Sequence, residues 1–214
     1  MTTKHLLIFG DSWSAGTELD LSKGEKPFGN LLAESVGAEI SNHSQPSTGS
    51  PHLILQLQQA IHSQKVSGSM ALFCLSHVSR SIYFAHGQWQ EIQVNRDDEV
   101  SRNFYKHIYS QELCDFSMNC YVLALQRMCQ QHDIDDYYIS CWDDLNLYLD
   151  GIDKDKFYQQ GRVGMTGILG CQADHSDDVI INRQHPTIYP NNCHPNQLGH
   201  QIIADELGKW IGHR

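Results

Sequence analysis

No apolar stretch in this chain of 214 residues approaches the roughly 18–20 residues that a membrane-spanning helix needs, so no membrane association is expected. No leader is expected either. Met1-Thr2-Thr3-Lys4 runs straight into an apolar segment, and a cytoplasmic location follows as the expectation. Basic charge is scarce: 15 Lys and Arg stand against 25 Asp and Glu, for a formal net charge of −10. Without a basic patch to neutralise phosphates, nucleic acid is not an expected partner. Cys-x-x-Cys is missing, and the seven cysteines are scattered singly. An odd count without paired spacing fits reduced thiols better than a disulfide framework. Repeats and low-complexity tracts are absent too, and the length suits one domain over residues 1–214. Thirteen histidines are many, but His175, His185 and His194 are too irregularly spaced for zinc, and no metal or cofactor is expected. The acidic pairs Asp97-Asp98, Asp135-Asp136, Asp143-Asp144 and Asp177-Asp178 read as solvated turns or helix starts rather than divalent-cation sites.

What the chain does have is an alternation of short apolar runs and amphipathic stretches. His5-Leu6-Leu7-Ile8-Phe9 reads as a buried first strand. Pro27 to Val36 follows as a helix with Phe28, Leu31, Leu32 and Val36 on one face, ended by Gly37. Ala38-Glu39-Ile40-Ser41 is a second strand. Pro51 opens a helix to about Gln64 whose stripe is Leu53, Leu57 and Ile61. Met70-Ala71-Leu72-Phe73-Cys74-Leu75 has the near-continuous apolarity of a central parallel strand. Ser81 to Val94 breaks the rhythm as a β-hairpin turning at His86-Gly87, suited to wall a pocket or meet a partner. A long helical stretch covers Ser101 to His132, and a fourth strand covers Tyr137 to Cys141. Residues 143–190 mix Asp-rich turns with a helix near Lys154–Gln160. Pro195 then opens a last helix with Leu198, Ile202, Ile203, Leu207 and Ile211 facing inward. The β-α-β rhythm predicts a doubly wound α/β fold: a parallel sheet of about five strands between two helical layers, with the hairpin inserted around 81–94.

The first strand stops at Gly10-Asp11-Ser12-Trp13-Ser14-Ala15-Gly16, a tight turn that presents a serine. The C-terminal edge of a parallel sheet is where open α/β folds bind ligands. A serine nucleophile needs a base, and Asn191-Asn192-Cys193-His194-Pro195-Asn196 offers one immediately before the last helix. Imidazole titrates near pH ~6.5, close to working conditions. Asp11, adjacent to the serine, reads as a carboxylate that stabilises the turn through local backbone N–H groups. Cys193 reads as an idle thiol, since neighbours on a turn rarely aim at each other. Tyr83, Trp89 and Trp142 suit either a stacking surface for a sugar or ordinary packing.

With these two motifs at its ends, the chain resembles the SGNH (GDSL-type) hydrolases, including compact phage-type members with a Gly-Asp-Ser-Trp block. The resemblance implies a flavodoxin-like domain that cleaves esters with Ser12 as nucleophile and His194 as base. The family's Asp three residues before that histidine is Asn191 here, which can orient the imidazole through its side-chain carbonyl but not offset its charge. The second-block glycine corresponds to Gly49, with Ser47 at the strict spacing. The Gly-x-Asn-Asp block is replaced by Leu75-Ser76-His77-Val78-Ser79-Arg80. Backbone N–H groups of Ser12 and Gly49 are then the expected oxyanion donors, and Ser50, Ser76 or His77 the candidates for a third. The resemblance thus implies a serine esterase or acetyl-esterase, acting on a small-molecule or glycan ester through an acyl-enzyme. The altered positions keep open an alternative: a catalytically weakened domain kept for binding or assembly, as a homo-oligomer or a virion-associated phage module. A metal-dependent phosphodiesterase is a more distant third.

Overall fold

The structure, a computed structural model, describes residues 4–93, 96–142, 145–173, 180–182, 184–189, 191 and 193–213. Val94, His175, Asp143-Asp144 and Asp177-Asp178 lie outside the described residues. In β1 (Lys4–Phe9), Leu6, Leu7, Ile8 and Phe9 are all fully buried, because successive side chains enter two different cores. Four parallel strands lie in the order β2 (Ala38–Asn42), β1, β3 (Met70–Leu75), β6 (Asp135–Ser140). On one face Leu6, Ile8, Leu72 and Ile139 pack with Phe28 and Leu32 of α2 (Phe28–Val36) and with Ile203 and Leu207 of α7 (Gln197–Gly212). On the other, Leu7, Phe9, Phe73 and Tyr138 pack with Leu57 of α3 (His52–Ser63) and Leu125 of α5 (Gln111–Gln131). This is the expected three-layer α/β/α arrangement. Phe9, Phe73, Tyr138 and Phe157 stack as a ladder, with centroids 4.9, 5.1 and 4.8 Å apart.

The sheet has four strands among the described residues, not about five. Phe157 extends its edge only by a single parallel bridge to Tyr138. The polar neighbours Lys154, Asp155, Gln159 and Gln160 supply no apolar run that could be buried on two faces. For the same reason the helix expected over Lys154–Gln160 is a pair of 3₁₀ turns, Lys154–Lys156 and Tyr158–Gly161, with Gln159 and Gln160 at φ 44° and 59°. Adjacent Phe157 and Tyr158 are both buried, a pattern a helical stripe does not provide.

The stretch from Ser101 to His132 divides into α4 (Glu99–His107) and α5, each opened by its own N-cap side chain. The Asp98 carboxylate accepts from Ser101 N at 2.8 Å, and Ser110 Oγ accepts from Leu113 N at 3.1 Å. The hairpin is present as β4 (Ser81–Ala85) paired antiparallel with β5 (Gln88–Ile92). Its turn residues His86 and Gly87 both have positive φ, as a two-residue hairpin turn requires. Two short helices, α1 (Ser12–Ala15) and α6 (Met165–Leu169), a 3₁₀ turn at Leu21–Lys23, and a two-residue pairing of β7 (Gln172–Ala173) with β8 (Ile180–Ile181) complete the elements among the described residues. In α7 the inward face differs from the expected stripe: Leu198 is 52% exposed, and His200 is fully buried. No helix among the described residues is long and apolar enough to cross a membrane.

Candidate active site

β1 ends between two parallel neighbours, so the turn after it opens at the C-terminal edge of the sheet beside the loop that follows β3. Gly10 sits at this crossing, and nothing larger fits. A Cβ there would lie 2.0 Å from Ser14 Oγ and 2.8 Å from Cys74 Cβ. The buried Gln56 side chain holds Gly10 from both sides, accepting from its N–H and donating to its carbonyl, each at 3.2 Å. Asp11 follows as the N-cap of α1, and its Oδ1 accepts from Trp13 N at 3.0 Å. This is the local backbone role expected of it. Its other oxygen adds two partners from the β3 loop, Ser76 Oγ at 3.0 Å and Arg80 Nη1 at 3.4 Å. The carboxylate is only 1% exposed, so these donors and the guanidinium compensate its burial.

Ser12 lies on α1 at 9% exposure. Its hydroxyl has no hydrogen-bond partner among the described residues, whereas Ser14 Oγ donates to the Asp11 carbonyl at 3.3 Å. The turn therefore spends the second serine and the aspartate on its own backbone and leaves the first serine unengaged. At the other end of the chain, a closed loop carries His194. Tyr189 N donates to the His194 carbonyl at 2.8 Å, and Cys193 N donates to the Tyr189 carbonyl at 3.1 Å, with Cys193 at φ 58°. Asn196 pins this loop to α7. Its Oδ1 accepts from Gly199 N at 3.1 Å as the helix cap, and its Nδ2 donates to the Pro186 carbonyl at 2.7 Å. Gly199 is required there, because a Cβ would come within 2.4 Å of the Thr187 carbonyl.

His194 sits within the fields of Asp11, Glu18 and Arg80. Burial pushes its imidazole below the ordinary value of 6.5, against the opposing pull of Glu18 and Asp11, so the ring is neutral and able to accept a proton at neutral pH.

No protein-family model matches the chain, and no curated protein matches it in sequence. Solved structures do match in fold. One is a member of the lipolytic protein G-D-S-L family from Veillonella parvula, with a TM-score of 0.53 at 9% identity over 97% of each chain. Another is an acetylxylan esterase from Geobacillus stearothermophilus, with a TM-score of 0.54 at 14% identity over 98% of this chain and 94% of that one. The chain has the fold of the SGNH-type hydrolases. Both matches span nearly the whole of each chain.

Within this SGNH fold the other expected site residues are distributed unevenly. Asn191 is exposed, and no hydrogen bond joins it to His194 among the described residues. His194 Nδ1 is buried without a partner among them. Gly49 is buried, but its N–H donates to Glu91 Oε2 of the hairpin at 3.0 Å, and Glu91 Oε1 also meets His52 Nδ1 at 3.0 Å. Ser47 adopts φ 66°, the left-handed conformation that favours glycine, at the strict second-block spacing. Ser50 Oγ donates to the Ser76 carbonyl at 3.3 Å, Ser76 Oγ is taken by Asp11, and His77 Nδ1 meets Ser79 Oγ at 2.7 Å. Of the aromatics, Trp142 packs on Trp13 with centroids 5.3 Å apart, while the exposed Trp89 meets Phe84 edge-on at the hairpin.

Sequence reading missed Arg80, Gln56, Glu91 and Asn196. Only Asn196 carried a local signal, as a helix cap after His194-Pro195. The other three act on residues 30 or more positions away.

Proposed function

We propose that the protein is a serine ester hydrolase working through an acyl-enzyme. The observation that carries this reading is the unengaged Ser12 hydroxyl at the sheet edge, with a neutral His194 in the field of the adjacent Asp11. Ser12 Oγ attacks the ester carbonyl and His194 takes its proton. The alcohol leaves with that proton, and water then releases the acid by the same route. The fold match to an acetylxylan esterase favours a small acyl group on a carbohydrate as the substrate to try first. Short p-nitrophenyl esters and acetylated xylan, with a fluorophosphonate probe, test the reading. Wild-type protein is expected to turn over ester and take the label, and Ser12→Ala to lose both. Label retained in Ser12→Ala overturns Ser12 as the nucleophile.

A second reading, a binding or assembly module that has lost catalysis, is favoured by the His194 Nδ1, buried without a partner among the described residues, and by Gly49 N–H being held by Glu91. Wild type that neither labels nor turns over any ester between pH 5 and 9 supports it.

A further inference from the structure

Beyond the Ser12 backbone N–H, the oxyanion is the part of this mechanism for which the chain has no obvious donor. Asparagine is absent from the β3 loop. The expected Gly49 N–H is held by Glu91, Ser50 and Ser76 hydroxyls donate elsewhere, and the His77 ring is engaged with Ser79. A developing negative charge without a donor would cost on the order of 10²–10³ in rate for each missing contact.

Arg80 stands at this point. Its Nη1 donates at 3.4 Å to Asp11, the residue before Ser12, and at 3.3 Å to the carbonyl of Thr48, the residue before Gly49. The guanidinium thus joins the Asp11 carboxylate to the Thr48 backbone, one residue before Ser12 and one before Gly49. Gly49 has no side chain to displace it, since a Cβ at residue 49 would come within 3.0 Å of Arg80 Cβ. A guanidinium carries five N–H donors in one plane, and Nη1 uses its own two on Asp11 and Thr48. Nε and Nη2 have no partner among the described residues, and the side chain is 21% exposed.

We propose that Arg80 is a catalytic residue that binds the oxyanion of the tetrahedral intermediate through its free guanidinium N–H groups, replacing the asparagine the β3 loop lacks. The proposal rests on the ester-hydrolase reading above. As Ser12 Oγ bonds to the carbonyl carbon, the carbonyl π electrons move onto oxygen and the Ser12 proton moves to His194. Arg80 keeps its proton throughout and donates two hydrogen bonds to the new oxyanion. When the C–O bond to the alcohol breaks, the carbonyl re-forms and those bonds weaken. Asp11 holds the guanidinium in plane and offsets its charge in the resting site, which keeps the fork in position before substrate arrives.

The test is a kinetic and inhibitor series on the full chain with p-nitrophenyl acetate and a phenylboronic acid, whose serine adduct is a tetrahedral anion. Arg80→Lys and Arg80→Gln are expected to fold, by circular dichroism, and to lose 10²–10³ in kcat with KM changed less than threefold. Boronate affinity should fall in parallel with kcat, and added guanidinium should restore part of the rate in Arg80→Ala. A purely structural Arg80 moves stability and KM but leaves boronate affinity in step with the wild type. That result, or full activity in Arg80→Gln, overturns the proposal while Ser12→Ala still abolishes turnover. Wild type without Ser12-dependent turnover overturns the ester-hydrolase reading, and this proposal with it.

Discussion

At the scale of single residues, the site is defined by which polar atoms are engaged and which are left over. Two serines lie on α1, and among the described residues only Ser14 Oγ is bonded to the backbone, so Ser12 is the nucleophile under the proposed ester-hydrolase reading. His194 has the opposite problem: its Nδ1 is buried with no partner among the described residues to orient the ring. Placing a carboxylate three residues earlier addresses both. Asn191→Asp is expected to raise ester turnover by about tenfold or more, a fraction of the roughly 10⁴ that separates the two side chains in the serine-protease case. The sign of the pH effect follows from the base role. His194 works only when neutral, so activity falls on the acid side, and burial places that limb below the ordinary imidazole value. A new carboxylate favours the imidazolium, so the limb should move to higher pH in Asn191→Asp. A pH–rate profile of both proteins checks the direction.

At the scale of elements, the hairpin is the part of the fold most dependent on a few side chains. It lies outside the main sheet, and its described ties to the second-block loop are Glu91 to Gly49 N–H and His52, and Gln93 Nε2 to the Ser47 carbonyl at 2.5 Å. Glu91 is 13% and His52 18% exposed at the side chain, so the pair is largely desolvated. Truncating Glu91 leaves both the Gly49 N–H and the His52 ring without an acceptor, a loss of about 1–3 kcal/mol for the contact. Glu91→Ala should therefore release β4 and β5 locally. Hydrogen exchange at their amides is expected to accelerate, while amides of β1 and β3 keep their protection. A uniform rise across the sheet would mean that the hairpin unfolds only with the whole molecule.

At the scale of the whole molecule, the buried His200 couples the fold to pH. It joins α7 to α2 by accepting from Phe28 N at Nδ1, 3.1 Å, and burial followed by the field of His194 pushes its pKa down to about 4. The unfolded chain takes up this proton near pH 6.5, and the folded one only near 4. Below pH 6.5 the unfolded state therefore binds more protons, and the stability present above that value is lost as the pH falls toward 4. One such group is worth on the order of 3 kcal/mol over that window. Thermal unfolding of wild type should drop steeply between pH 6.5 and 4. His200→Asn, which keeps an acceptor near the Nδ1 position and cannot titrate, should start lower and fall less.

Much of this was legible one element at a time. Strands whose alternate residues are both apolar, helices with a 3.6-residue stripe, and a serine turn after the first strand are local patterns, because burial on two faces or one is written into consecutive residues. The same locality explains the errors. Leu198 fits a stripe but faces outward, because α7 turns His200 toward Phe28 instead; Lys154–Gln160 looks helical only until Phe157 and Tyr158 must both be buried.

The sequence by itself determined the layered α/β plan, the two end motifs and the hairpin, since each depends on hydrophobic period and turn chemistry within a dozen residues. Only the tertiary structure decided how those motifs are supported. It brought Arg80 to Asp11 and Thr48 and set Glu91 on Gly49, and among the described residues it gave neither Asn191 a hydrogen bond to His194 nor the Ser12 hydroxyl a partner. The physical reason is that hydrogen-bond partners at a sheet edge are selected by which loops converge there, across separations of 30 to 70 residues, and no local pattern encodes that convergence.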